Sequence, residues 1–412
     1  MPYKKNTRCR YCGGSRLFQF LSLGEQPPSD SFIREDQIAS EKRYPLDVYL
    51  CETCFLVQLL DVVPAEEIFN DYVYLASSSK ALKNHYAKLT ETITQRFGLA
   101  PSDVVVDIGC NDGVLLSGYS MPGLVKVGVE PSKVAVIARE SGFKIVNDFF
   151  GTAAGRKILD DYGKAKVVTA TNVFPHVDDI GAFTSNLPEL LHSDGVFMIE
   201  ASYLIDLIDS TLFDTIYHEH LCYLSLTPVV PFLQRFGLEV FDVERVPFGA
   251  SGPAVRIWAK KKEGRWPVDI SVKKMMSDEA KWGVGRIERY QSYAAEVTEL
   301  KEKLIALMKR IRQSGARIGG YGAPAKGNTL LNYVGFTALD VECIAENNKL
   351  KQGMLTPGSH IPVVSDEEFL ERMPEYALLL SWNYLDFFLK NSAYIHKGGK
   401  FIVPIPTPRI CP

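Results

Sequence analysis

Val104-Val-Val-Asp-Ile-Gly-Cys-Asn-Asp-Gly-Val-Leu-Leu116 is the stretch on which the fold turns. A run of buried-strand character ends near Asp107. A Gly109-x-Asn111-x-Gly113 turn then opens a helix, and its glycines allow backbone to approach a ligand closely. Outward from this unit, strands and helices alternate. Val125–Val129, Lys144–Val146, Lys166–Thr171 and Gly195–Glu200 read as further buried strands. Such alternation predicts a parallel sheet with helices on both faces. Leu238–Val243 and Ala254–Ala259 are close enough to pair as an antiparallel hairpin at one edge. On the other side, Ser77-Ser-Ser79 suits the N-cap of a helix over 80–97.

Glu130 ends the next strand, seventeen residues past Gly113. A carboxylate there accepts from ribose hydroxyls in both dinucleotide and S-adenosylmethionine (SAM) sites. Two features separate the two cofactors. The spacing is not G-x-G-x-x-G, and Asp107 precedes the first glycine. An anion there repels a pyrophosphate and favours the cationic end of SAM. The predicted cofactor residues are therefore Asp107, Gly109, Asn111, Gly113 and Glu130. Asp148, Phe149 and Asn172 join them, because they follow the third and fourth strands at the carboxyl end of the sheet, where ligands bind. Phe149 or Phe150 would stack on adenine or join the core.

The eight cysteines divide into two kinds. Cys9/Cys12 and Cys51/Cys54 form two C-x-x-C knuckles, the spacing of a four-thiolate zinc site. Four sulfurs complete a tetrahedron, so the zinc is structural. Cys110, Cys222, Cys343 and Cys411 are singletons of the kind that packs in cores.

At ~150 residues per domain, the 412 residues suggest two or three units. The expected division is a zinc module over 1–70, a SAM-binding α/β domain over 71–265, a helical connection over 266–315 and a second α/β unit over 316–412. The strand candidates of the last are Arg317–Tyr321, Val341–Ala345, Ala377–Leu380 and Lys400–Val403. A net charge of −3 and a pI of about 6.2 weigh against a nucleic-acid partner. No apolar run approaches the ~20 residues that span a bilayer, and the first residues do not read as a secretory signal. A cytoplasmic protein with no membrane partner is the expectation, as a monomer.

Phe213-Asp-Thr-Ile-Tyr-His-Glu-His-Leu-Cys-Tyr-Leu-Ser225 gathers two histidines, a carboxylate and two tyrosines, in a chain with seven histidines. His218-Glu219-His220 is not H-E-x-x-H, so a zincin is excluded. The residue types suit general-base chemistry, with histidine accepting a proton and a tyrosine hydroxyl donating to an enolate oxygen.

Here the chain resembles the sugar-nucleotide C-methyltransferases. The resemblance rests on the cysteine module, on Leu23-Gly-Glu-Gln-Pro-Pro-Ser-Asp-Ser-Phe32, and on Asp107-Ile-Gly-Cys-Asn-Asp-Gly113. Tyr217-His-Glu-His220 and Gly320-Tyr-Gly-Ala-Pro-Ala-Lys-Gly-Asn328 complete it. It implies three parts: a small zinc-binding module, a central Rossmann-like class I SAM methyltransferase domain, and a C-terminal Rossmann-like α/β domain. It also implies a reaction on a nucleotide-linked 4-ketodeoxysugar, with TDP as the nucleotide. A base would remove the C3 proton, and the enolate carbon would take the methyl of SAM. By the family pattern His220 is the base and Glu219 its partner. Tyr217 lies near the enolate or diphosphate, and Tyr74 and His176 stand beside the pocket. The C-terminal glycine turn is read as the diphosphate grip, with Tyr321, Lys326 and Asn328 as contacts. The rival readings are O-methylation of the same substrate class, an RNA methyltransferase and an NAD-dependent sugar oxidoreductase.

Overall fold

The computed structural model describes residues 3–69, 75–249 and 252–411. Three larger sheets organise the described residues, beside a two-stranded pairing of Lys4–Lys5 with Asp61–Val62. The first is antiparallel and holds β1 (Leu17–Gln26), β2 (Tyr44–Cys51) and β3 (Val57–Leu59). The second contains seven strands: β4 (Val104–Ile108), β5 (Val125–Val129), β6 (Lys144–Val146), β7 (Ala165–Thr171), β8 (Leu191–Ser202), β10 (Leu238–Gly249) and β11 (Gly252–Lys261). Between β8 and β10 in the chain, β9 (Cys222–Tyr223) leaves this sheet and pairs with β3, as the fourth strand of the first.

The seven-stranded order is β10-β11-β8-β7-β4-β5-β6. β11 is inserted antiparallel between β8 and β10, and the others run parallel. The hairpin therefore sits at one edge, with β10 outermost. The order reverses at β4, which lies between β5 and β7 and forms a switch point where α/β sheets bind ligands.

The helix Lys80–Phe97 covers one face. Leu82, Tyr86, Leu89, Ile93 and Phe97 form its apolar stripe at helical spacing. They pack on Val105, Val167, Met198 and Trp258. Ser79 caps it by accepting from the Leu82 N–H, and Gly98 ends it at φ +57°. Two long helices, Ile270–Trp282 and Ile287–Gln313, lead to the last sheet.

That sheet holds β12 (Ile318–Tyr321), β13 (Ile344–Ala345), β14 (Val363–Val364), β15 (Tyr376–Leu379), β16 (Lys400–Val403) and β17 (Arg409–Cys411), in the order β14-β13-β12-β15-β16-β17. Five strands are parallel, and β17 alone is antiparallel. Again the first strand lies between the second and a later one, giving a second switch point. Among the described residues, no helix is long and apolar enough to cross a membrane.

Candidate active site

The carboxyl edges of both parallel sheets open onto one cavity of about 1530 Å³. The β4–helix loop, the turn after β12 and the segment before β9 all line it.

On the β4 side the backbone is built for close approach. Gly109 has φ +68°, and a Cβ there would stand 2.2 Å from Val173 Cγ2, so only glycine fits. Its N–H donates to the Val129 carbonyl at 2.7 Å. Asn111 holds φ +50° and accepts at its side chain from the Ala76 N–H. Glu130 accepts from the Asn111 N–H at 2.9 Å and from the Ser132 N–H at 3.0 Å. Asp107 is buried, accepts from the Thr169 hydroxyl at 2.6 Å, and is pushed up to about 7 by burial. Asp107, Gly109, Asn111, Glu130, Asp148, Phe149 and Asn172 all line the cavity. Phe149 is half exposed, and Phe150, which also lines the cavity, packs edge-on against Phe183. Gly113 is a correction. It is not a lining residue, and its φ of +83° serves the start of the helix Val114–Gly118, against the Phe143 ring.

The histidine segment supplies the chemistry. His220 Nδ1 lies 2.7 Å from the Thr215 carbonyl. That oxygen only accepts, so Nδ1 carries the proton and Nε2 the free lone pair. Its ring stacks on His176 at 4.9 Å and lies 4.0 Å from the Tyr217 ring. Burial lowers His220 to about 4 and holds His176 well below its ordinary value, so both are neutral near pH 7. His218 differs. Its Nε2 lies 3.3 Å from the Tyr44 and Pro45 carbonyls, which ties the segment to β2.

Glu219 requires a second correction, since it is not the hydrogen-bond partner of His220. The two residues lie in a tight turn, closed by the His220 N–H donating to the Tyr217 carbonyl at 2.9 Å. Glu219 shares its surroundings with Asp30 and Lys351, and its Oε1 is buried without a partner. Burial first, then Asp30, raises its pKa, and Lys351 opposes the shift. Lys351 Nζ donates to Asp30 at 2.9 Å and to the Ala323 carbonyl at 3.0 Å. Tyr74 falls outside the described residues.

On the β12 side, Lys326 lines the cavity with its ammonium 4.0 Å from the Trp382 ring centre and 2.5 Å from Asn383 Oδ1. Burial lowers it to about 8, against the pull of Asp214. Tyr321 forms part of the wall, with its ring among Phe369, Phe388 and Phe401 and its hydroxyl accepting from Ser392. Asn328 is the third correction. It does not line the cavity; its amide donates to the Ser29 carbonyl at 2.7 Å, fastening the segment after β1. Sequence reasoning missed Asp214, whose carboxylate accepts from Trp382 Nε1 at 2.6 Å, and Glu346 at the end of β13. The acidic end of a strand was a usable signal for Glu346, as it was for Glu130.

Away from the cavity, the Sγ atoms of Cys9, Cys12, Cys51 and Cys54 all lie within 4.8 Å of one another. Gly13 takes φ +72° in the first knuckle, and Phe55 φ +67° just after the second. Four converging thiols with no carboxylate or histidine are the donor set of structural zinc.

A seven-stranded sheet of this order, with a glycine loop and a ribose-type acid at its switch point, defines a SAM-dependent methyltransferase. The comparisons agree. Family models match at residues 82–243 (a methyltransferase domain), 250–406 (a C-methyltransferase C-terminal domain) and 9–69 (a candidate zinc binding domain). C-methyltransferase NovU of Streptomyces niveus is 32% identical over 405 residues, 98% of this chain and 96% of that protein. The chain belongs to this C-methyltransferase family, the one its motifs resemble. A ubiquinone biosynthesis O-methyltransferase of Rhodopseudomonas palustris is 26% identical over 98 residues, 23% of this chain and 38% of that one. Magnesium protoporphyrin IX methyltransferase of Synechocystis with bound SAM matches with a TM-score of 0.33 at 13% identity, over 47% of this chain and 86% of that one. The enzyme uses SAM as its methyl donor, and its cysteine set is a zinc site.

Proposed function

We propose that the enzyme methylates C3 of a TDP-linked 4-ketodeoxysugar, with His220 as the base. What supports this reading is that His220 lines the same cavity as the β4 glycine loop and the turn that carries Lys326. Neutral His220 Nε2 accepts the C3 proton, and the electron pair moves into the C4 carbonyl as an enolate. Tyr217, whose ring lies 4.0 Å from that of His220, is assigned to donate to that oxygen. SAM supplies an activated methyl whose sulfonium leaves as a neutral thioether. The protein's remaining task is to align carbon with methyl and to stabilise the enolate.

Burial keeps the imidazole neutral and therefore able to accept a proton near pH 7, and stabilisation of the enolate is needed to draw the proton from carbon. Lys326 is assigned to the diphosphate, and Asp107 to the cationic end of SAM. The test is incubation in deuterium oxide with S-adenosylhomocysteine and the TDP-ketosugar, followed by NMR of C3. Exchange at C3 that is lost in His220→Asn is the expected result. Methylated product with its new group on oxygen, without exchange, overturns the reading.

A further inference from the structure

The two α/β units share a set of contacts that goes beyond their topology. In the first, Gly109 follows β4 and donates to the Val129 carbonyl at 2.7 Å; in the second, Gly322 follows β12 and donates to the Ala345 carbonyl at 2.8 Å. Both glycines have positive φ, +68° and +78°. A Cβ on either would strike the segment after the strand on its other side: Val173 at 2.2 Å in the first, Ser381 at 2.3 Å in the second. The residue after each accepting carbonyl is a glutamate. Glu130 accepts from a loop N–H (Asn111, 2.9 Å) and from the N–H two residues on (Ser132, 3.0 Å). Glu346 accepts from a loop N–H (Ala323, 2.8 Å) and from the N–H two residues on (Asn348, 2.8 Å). Both glutamates line the same cavity.

The shared geometry has a chemical meaning. In each unit the two backbone donors fix the carboxylate at the strand end, and each oxygen keeps a lone pair. A carboxylate so held, beside a glycine turn, accepts from furanose hydroxyls. We infer that Glu346 is a second such acceptor, and that it binds the nucleoside sugar of the acceptor substrate as Glu130 binds the ribose of SAM. This makes Glu346 a substrate-binding residue, rests on the reading of the acceptor as nucleotide-linked, and places the nucleoside at the β12–β13 edge. A deoxyribose offers it the 3′-hydroxyl.

The test is calorimetric titration of the zinc-loaded protein, saturated with S-adenosylhomocysteine, with TDP and with 2′,3′-dideoxythymidine diphosphate. The wild type is expected to prefer TDP tenfold or more, the loss typical of a hydrogen bond to a charged group. Glu346→Gln and Glu346→Asp are expected to shrink that preference to threefold or less, with S-adenosylhomocysteine affinity unchanged. A merely structural role weakens both nucleotides equally and leaves the preference intact, which overturns the proposal. A wild type with no preference overturns it without any variant. If the wild type binds none of TDP, UDP, GDP or CDP, the nucleotide-linked reading itself fails, and the proposal with it.

Discussion

His220 Nδ1 and the Thr215 carbonyl oxygen stand 2.7 Å apart, within one turn of the chain. This contact fixes the imidazole tautomer, so Nε2 is the basic atom at every pH above the ring's low pKa. His220→Asn removes that atom from a residue outside the SAM loop. Turnover is expected to fall by about 10²–10⁴-fold, while S-adenosylhomocysteine affinity stays within a few-fold. Calorimetry and a discontinuous methylation assay check both halves.

Asp107 is expected to give SAM binding a pH dependence. Burial raises its carboxyl to about 7 in the ligand-free enzyme, with Thr169 opposing the shift. A cationic ligand prefers the ionised form, so SAM affinity is expected to rise by up to about tenfold per pH unit towards pH 7 and level off above it. Asp107→Asn should flatten the profile. The same group acts on folding with the opposite sign. Its folded pKa exceeds the unfolded value of about 3.9. The stability it contributes is full below that value and is lost as pH rises through about 7. The melting temperature of wild type relative to Asp107→Asn, followed from pH 4 to 8 without ligand, reports that loss.

Zinc removal is expected to reach the chemistry through β9. Cys222 and Tyr223, just beyond His220, pair with Gln58 and Val57, and Cys51 and Cys54 lie on the turn before those residues. Chelation should lower both the melting temperature and the turnover number, with a smaller effect on S-adenosylhomocysteine binding, and added zinc should restore them. A demetallated enzyme with full turnover would contradict this coupling.

Arg256→Leu is expected to cost about 3–5 kcal/mol of stability. Glu200 is fully buried at the end of β8, and Arg256 donates to it from Nε at 2.7 Å, while His85 lies 2.6 Å from its other oxygen. Burial alone would raise the Glu200 carboxyl, and these two partners hold it below the ordinary value. Removing Arg256 leaves a buried carboxylate half paired. Urea denaturation followed by circular dichroism measures the loss.

The parallel sheets were legible because their strands are continuous apolar runs. Val104–Ile108, Val125–Val129 and Lys400–Val403 stand where the pattern put them. Short strands escaped the reading. Val363–Val364 and Cys222–Tyr223 are two residues each, and their pairing is set by distant partners. Glu130 was singled out because a glycine loop precedes it at the usual distance, whereas Glu346, which follows a strand of only two residues, went unread. The Glu219 assignment failed because the turn that closes with the His220 N–H on the Tyr217 carbonyl leaves Glu219 among Asp30 and Lys351, distant in sequence, and no local pattern signals those neighbours. Asn328 sits in the helix Ala325–Val334, past its first residues, and its side chain turns inward to the Ser29 carbonyl. The His85–Glu200–Arg256 cluster joins three distant parts of the chain, and no local pattern signals it.

The single cavity between the two sheet edges bears on inhibition. The β4 loop and the turn after β12, to which donor and acceptor are assigned in the proposed reaction, line one continuous chamber. A molecule that joins an adenosine to a thymidine diphosphate by a short tether would fill both ends at once. Its second half would then dock at the high effective concentration that a tether provides, and the tether length that binds best would be a ruler for the separation of the two nucleosides during methyl transfer.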